Sequence, residues 1–531
     1  MRILAKILLM AALVAAMLGR TDRAQQLTVN EAIDRILQRE NDETKMLRLY
    51  NPVMEIYVQD MTLDPEHGMV ASGDHYFLGR AILSEGTLQL PSKGNKKTKP
   101  HPVKLGGLSG VFTKESVPDG FLQMIYLDPK DFDRQHYRLD YVRRELLGEV
   151  HCLVFDLTPV KEMEGDHFLG RIWIEDQNYT IVRFNGANFP MEHPKGFRLH
   201  FDSWRVNVAP GVWVPAYIYT AESEAHNLLS NRLVFQAQAR FWGYQPAAKE
   251  EDRARAESQP TQERGIDESA VDRLEAAGLL APPGEVDKIL ATVENNLEVS
   301  NNLDIEPEVK CRVLLTTTLE SFPIGHTILI SRGLLDVLPD ESSLGMVLAH
   351  ELGHILSKQS LGAEWALRDW SDFYFEDGFS HFEFPIDIHV EDGANGKAVE
   401  LLEKSPYKEK MVSTVLFLQT MNSQAKTLPN LISPHLASRT PLAARLSNVA
   451  HDPSAIKGGE IAASPMGSRV QMDLWTDQID IVKDKPITSA SKRERRPFQI
   501  NPLLPYLVPS GAAGGAPQRK TGATDGGKEN E

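Results

Sequence analysis

The chain has 531 residues, 42% of them apolar and 24% charged, which are the proportions of folded globular domains. That length exceeds one ordinary hydrophobic core, so two or three domains are expected. Acidic residues outnumber basic ones, 73 to 57, and the net charge of −16 excludes the basic footprint of a general nucleic-acid binder.

Arg2 and Lys6 precede an apolar run from Ile7 to Leu18, which stops at Gly19-Arg20-Thr21-Asp22. About a dozen apolar residues are too few for a comfortable bilayer span and suit the core of an export signal. Residues 1–24 are therefore expected to be a signal peptide. The mature chain is then periplasmic or secreted, with no transmembrane span after signal removal.

Residues 27–245 read as β-rich. Alternating or aromatic runs recur at 54–58, 150–155, 171–174, 180–184 and 212–218, separated by turn residues such as Asp176-Gln177-Asn178 and Pro210-Gly211. Five lysines between Pro91 and Lys104 mark a solvated connection. The segment Phe168-Leu169-Gly170-Arg171-Ile172-Trp173-Ile174 through Tyr179-Thr180-Ile181-Val182-Arg183 resembles LolA/RseB-like periplasmic domains. The resemblance implies an antiparallel sheet with a concave apolar surface for a lipid, a lipoprotein or a protein segment. A purely structural sheet is equally compatible with these residues.

Residues 246–284 read as a charged linker, rich in Glu, Arg, Gln and Ala at first, with helical patterning resuming at Val271-Asp272-Arg273-Leu274. A second domain, mainly α with some β, is expected over 285–452. Beyond it, Pro, Gly, Ser and charge accumulate, and 453–531 read as an extended, partly disordered tail. Cys152 and Cys311 allow one long-range disulfide in an oxidising compartment, or two buried thiols.

Chemistry concentrates at His350-Glu351-Leu352-Gly353-His354, an H-E-x-x-H pattern. On a helix, residues four apart stack on one face, so both histidines reach one metal ion while Glu351, about 100° round, stands beside it as a base for water. Asp340 is the candidate N-cap, and Leu344, Leu348, Leu352 and Ile355 form an apolar stripe that leaves the histidines on another face. A catalytic zinc takes three protein ligands and keeps one position open. By spacing alone the third ligand is shared among Glu391, Glu376, Glu383 and Glu400. Glu391 stands out because Ala394, Asn395 and Ala398 continue its helical face with small residues.

The run from Ile324 through Gly333-Leu334-Leu335 to the His350 motif, and then Glu391-Asp392-Gly393-Ala394-Asn395, resembles the gluzincin zinc endopeptidases that include HtpX-like and CAAX prenyl proteases. The resemblance implies Zn2+ held by His350, His354 and Glu391, with Glu351 as catalytic base acting on a protein or peptide substrate. It also implies that the strand 327–331 aligns substrate, although a plain core strand fits these residues nearly as well. Asn395 stands where the family has Asp. Ser433-Pro434-His435-Leu436 is the nearest equivalent of a family His-Pro element. There His435 is a candidate for stabilising an oxyanion, with an ordinary surface histidine as the simpler reading. The competing function is a catalytically weak or inactive zinc-fold binding or chaperone protein of the cell envelope.

Overall fold

A computed structural model describes residues 28–65, 68–83, 87–89, 116–128, 130–160, 166–190, 198–223, 235–246, 266–357, 387–449, 470–473, 478–481, 498–500 and 507–508. The expected signal peptide, the lysine-bearing loop and most of the tail lie outside the described residues.

The N-terminal half opens with a helix that the strand-like reading of 27–245 passed over. Glu31 N–H donates to Thr28 Oγ1 at 3.3 Å and Thr28 N–H donates to Glu31 Oε2 at 2.8 Å. This capping box starts α1 (Val29–Leu47), which buries Ile33, Ile36, Leu37 and Leu47. Ten strands make one antiparallel sheet: β1 (Tyr50–Asp64), β2 (Gly68–Ile82), β3 (Thr87–Gln89), β4 (Tyr137–Leu147), β5 (Val150–Pro159), β6 (Asp166–Glu175), β7 (Ile181–Pro190), β8 (Arg198–Ala209), β9 (Val212–Ser223) and β10 (Phe235–Pro246). Their order is β3-β2-β1-β10-β9-β8-β7-β6-β5-β4, so β1 pairs with the last strand rather than the fourth.

The period-two alternation of β1 sorts two cores. Met54, Ile56 and Val58 join Phe235, Ala237, Ala239 and Phe241 of β10 beneath α1 and the end of α2 (Ser116–Gln123). Val53 and Tyr57, with Tyr76, Leu78 and Trp242, point the other way into the core of the C-terminal half. The strand is thus buried on both faces. One face is filled by the chain's own helices, and the region of β1, β2 and β10 on the other is covered by the second domain.

A buried ion pair holds α1 down. Arg205 on β8 donates through both terminal nitrogens to the Glu40 carboxylate, each at 2.6 Å, with neither side chain reaching solvent. Two parallel charge-assisted bonds fix the helix azimuth as well as its distance.

The C-terminal half contains α3 (Ile266–Ala276), α4 (Glu285–Asn301), β11 (Lys310–Leu314), β12 (Ser321–Ile324), β13 (Thr327–Ser331), α5 (Arg332–Val337), α6 (Glu341–Leu356), α7 (Ile388–Glu403), α8 (Met411–Gln424), α9 (Pro434–Ala437) and α10 (Thr440–Val449). Its small sheet has the order β11-β13-β12. Three expectations change here. The strand 327–331, expected to align substrate, is the central β13, whose two edges are already taken by β11 and β12, so no edge of it is left for strand addition. The expected linker 246–284 is folded from Ile266 onward: Ala270, Leu274 and Leu279–Ala281 are core residues, and Ala281 N–H donates to Val313 O at 2.8 Å. The tail expected over 453–531 returns to the body at Phe498, Ile500 and Leu507, all buried, with Gln59 bonded to the backbone of Phe498 and Ile500.

Cys152 and Cys311 are unpaired buried thiols in separate cores, and burial pushes the Cys152 thiol up to about 12. Among the described residues no helix is long and apolar enough to cross a membrane.

The Arg205–Glu40 pair makes a test of this architecture. Arg205→Ala leaves a buried carboxylate without its partner and should cost about 3–5 kcal/mol in denaturant unfolding. Arg205→Met combined with Glu40→Gln should recover most of that loss.

Candidate metal centre

The helix that carries the H-E-x-x-H motif starts as its sequence dictates. Asp340 Oδ1 accepts the Ser343 N–H at 2.8 Å and the Ser343 hydroxyl at the same distance, so the side chain caps α6. Every residue from Ser342 to His354 is buried. The apolar stripe therefore does not separate a core face from a solvent face; α6 is enclosed all round, and its polar side is enclosed by polar partners.

Those partners arrive on α7. Glu391, Ala394, Asn395 and Ala398 are all buried on one face of that helix. At the crossing, a Cβ placed on Gly353 would stand 2.7 Å from Ala394 O. Only glycine allows the two backbones so close, and the approach sets the depth at which Glu391 meets the histidines.

The donor atoms then converge. His350 Nε2 and His354 Nε2 face each other at 3.1 Å, and the Glu391 oxygens lie 3.5 Å from the first and 3.7 Å from the second. Ligand atoms around a tetrahedral zinc, at its usual bond lengths, are roughly 3.3–3.5 Å apart. Two imidazoles and a carboxylate at these separations suit that ion in both chemistry and size. Burial and the Arg439 charge hold His350 down to about 3, and burial likewise holds His354 to about 4. Both rings are therefore neutral at physiological pH, the form a metal takes. Burial by itself would raise Glu391, yet the adjoining His350 and His435 imidazoles, the second donating to it through Nδ1–H, hold it well below the usual carboxylate range.

Other neighbours shape the site. His350 Nδ1–H donates to Asn395 Oδ1 at 3.1 Å, so the Asn395 amide aims Nε2 at the centre. Of the other carboxylates considered, Glu400 is exposed and bonded to Lys397, while Glu376 and Glu383 lie outside the described residues.

His435 is a correction. It is buried rather than a surface residue, and its Nδ1–H donates to Glu391 Oε1 at 2.8 Å. With His350, His354 and Glu391 it forms a group whose donor atoms lie within 4.8 Å of one another. Burial by itself would lower its basicity, but Glu351 and Glu391 together raise it.

Arg439 and Ser321 escaped the sequence reading altogether. Both bond to Glu351 Oε1, Ser321 Oγ at 2.7 Å, while Glu351 Oε2 makes no hydrogen bond and lies 3.5 Å from His435 Nε2. Burial would raise Glu351, but the Arg439 and His435 charges outweigh it and hold the carboxyl well below its ordinary value. A local signal for this region did exist. Ser433 followed by Pro434 is a helix N-cap with proline at the first turn, and the short helix it starts carries His435.

Residues 313–364 match the model of peptidase family M48. The M48 segment runs from β11 through the whole of α6, and so contains the H-E-x-x-H motif of a metallopeptidase. Glu391, His435 and Arg439 lie beyond it. No curated protein matches the chain.

Asn395→Ala should weaken zinc binding about 10- to 100-fold, because it removes the bond that orients His350. Competition with a chromophoric chelator measures this directly.

Proposed function

We propose that this chain is an exported zinc endopeptidase that hydrolyses peptide bonds of envelope, exported or misfolded proteins. The observation that carries the reading is the spacing of His350 Nε2, His354 Nε2 and Glu391, with Glu351 beside them on the same helix as His350. Export rests on the signal-like N-terminus, and peptide-bond hydrolysis rests on the match of the M48 segment.

A zinc ion held by these three groups would polarise a peptide carbonyl and bring the pKa of a bound water to about 7. The chain's own side chains divide the remaining work. Arg439 and Ser321 fix Glu351 through Oε1, which leaves Oε2 as the atom that takes the proton from water and later delivers it to the leaving amine. His435, bonded to Glu391 through Nδ1, turns Nε2 toward Glu351, where a cationic ring would stabilise an oxyanion. Burial of all these groups keeps bulk water from competing.

The rival reading is a zinc-fold binding or chaperone protein without turnover. Glu351, held on two sides, favours the enzyme, since a binding protein has no use for a positioned base. Purified protein should cleave unfolded casein and lose that activity on treatment with a chelator. Glu351→Gln should retain zinc at one ion per chain and lose roughly 1000-fold or more in kcat. Full zinc loading without any Glu351-dependent cleavage would establish the binding protein instead.

A further inference from the structure

We propose that Glu55, on the N-terminal sheet, is a positioning residue for the peptidase site and acts through Thr317. The catalytic part of this inference rests on the function proposed above.

Glu55 lies on the face of β1 that meets the C-terminal half, and only 2% of it reaches solvent. Both of its oxygens are used, and each bonds across the domain boundary. Oε1 accepts the Tyr76 hydroxyl at 2.8 Å from its own sheet and the Thr317 N–H at 2.5 Å. Oε2 accepts the Thr317 hydroxyl at 2.5 Å and Arg240 Nη1 at 3.2 Å. One carboxylate thus grips the backbone and the side chain of a single residue, which fixes that residue in orientation as well as position. Arg332 Nη2 also donates to Thr317 Oγ1 at 3.0 Å.

Thr317 sits in the stretch 315–320 that connects β11 to β12, and its neighbours leave that stretch little slack. Gly333 N–H donates to Thr316 O at 3.0 Å, and Ser331 Oγ donates to Thr318 O at 2.5 Å. Thr317 O lies where a Cβ of Gly333 would have to go. Two residues on, Leu319 N–H donates to Leu431 O at 2.6 Å and Leu319 O accepts Ser433 N–H at 3.1 Å. Ser433 caps α9, the short helix that bears His435 and leads to Arg439. Two residues further, Ser321 bonds to Glu351. Within five residues the chain therefore passes from the anchor on the N-terminal sheet, to the clamp on the His435 segment, to the catalytic base.

His350, His354 and Glu391 stand on α6 and α7, outside this stretch. Loosening Thr317 should therefore leave zinc bound and misplace Arg439, His435 and Ser321 around Glu351. A mere interface contact would also leave zinc bound, but with those side chains still in place.

The test uses the full-length, zinc-loaded chain with Glu55→Gln, Thr317→Val and, as the conservative control, Thr317→Ser. Hydrogen exchange of the Leu319 and Ser433 amides should accelerate about tenfold in Thr317→Val while amides of β5 to β7 stay unchanged. On unfolded casein, kcat should fall about 10- to 100-fold in Glu55→Gln and Thr317→Val, with KM and zinc content preserved, and Thr317→Ser should behave as wild type. Unchanged exchange at Leu319 and Ser433 in Thr317→Val overturns the proposal, as does faster exchange throughout the sheet with kcat per zinc-loaded molecule intact. If the wild-type chain does not cleave casein, the proposed function fails, and the exchange measurement still decides whether Glu55 and Thr317 hold this loop.

Discussion

Two helices from different parts of the chain have to come close enough for one carboxylate to meet two imidazoles, and the missing side chain at Gly353 makes that approach. The backbone of α7 at Ala394 occupies the place where a Cβ would be. Small residues opposite, Ala394 and Ala398, complete the contact. Glu391 and Asn395 then lie one turn apart on the same face, so a single crossing delivers both the third donor and the hydrogen-bond partner of His350. The approach costs the helix a residue of low propensity, which the surrounding core offsets.

Once α6 and this face of α7 are enclosed, every charge on them needs a partner, because an unpaired buried ion is far more costly than a paired one. Glu351 is answered by Arg439 and Ser321, and Glu391 by His435, His350 and Ser438. The same constraint recurs away from the site. Arg205 and Glu40 pin α1 to the sheet, and Glu55 meets Arg240 where the two halves join. The molecule therefore solves its assembly with a few bidentate carboxylates at places where geometry has to be definite. The apolar cores on either side of β1 supply the bulk of the burial.

Much of this was legible locally. Asp340 three residues before Ser343 announces the start of α6, and the i, i+4 spacing of His350 and His354 fixes their common face once the helix is accepted. The strand runs at 54–58, 150–155, 171–174 and 212–218 fall within strands of the large sheet, and 180–184 does so from Ile181 onward. The capping box at Thr28 was equally local and was overlooked because the strands that follow dominate the segment. By contrast, nothing near Thr327 says that β13 would be central, since edge or centre depends on which strands arrive on either side.

The sequence by itself determined the chemistry-bearing helix, its phase, its cap and the place of Glu351 on it, because these depend on residues within a few positions of one another. It also marked the face of small residues that makes Glu391 a good donor. Only the tertiary structure decided that His435 is buried beside Glu391, that Arg439 and Ser321 hold Glu351, and that the N-terminal sheet reaches Thr317 through Glu55. Each of these contacts joins residues between 30 and 262 positions apart. A buried charge acquires its partner from whatever surface packs against it, and no local pattern encodes that surface.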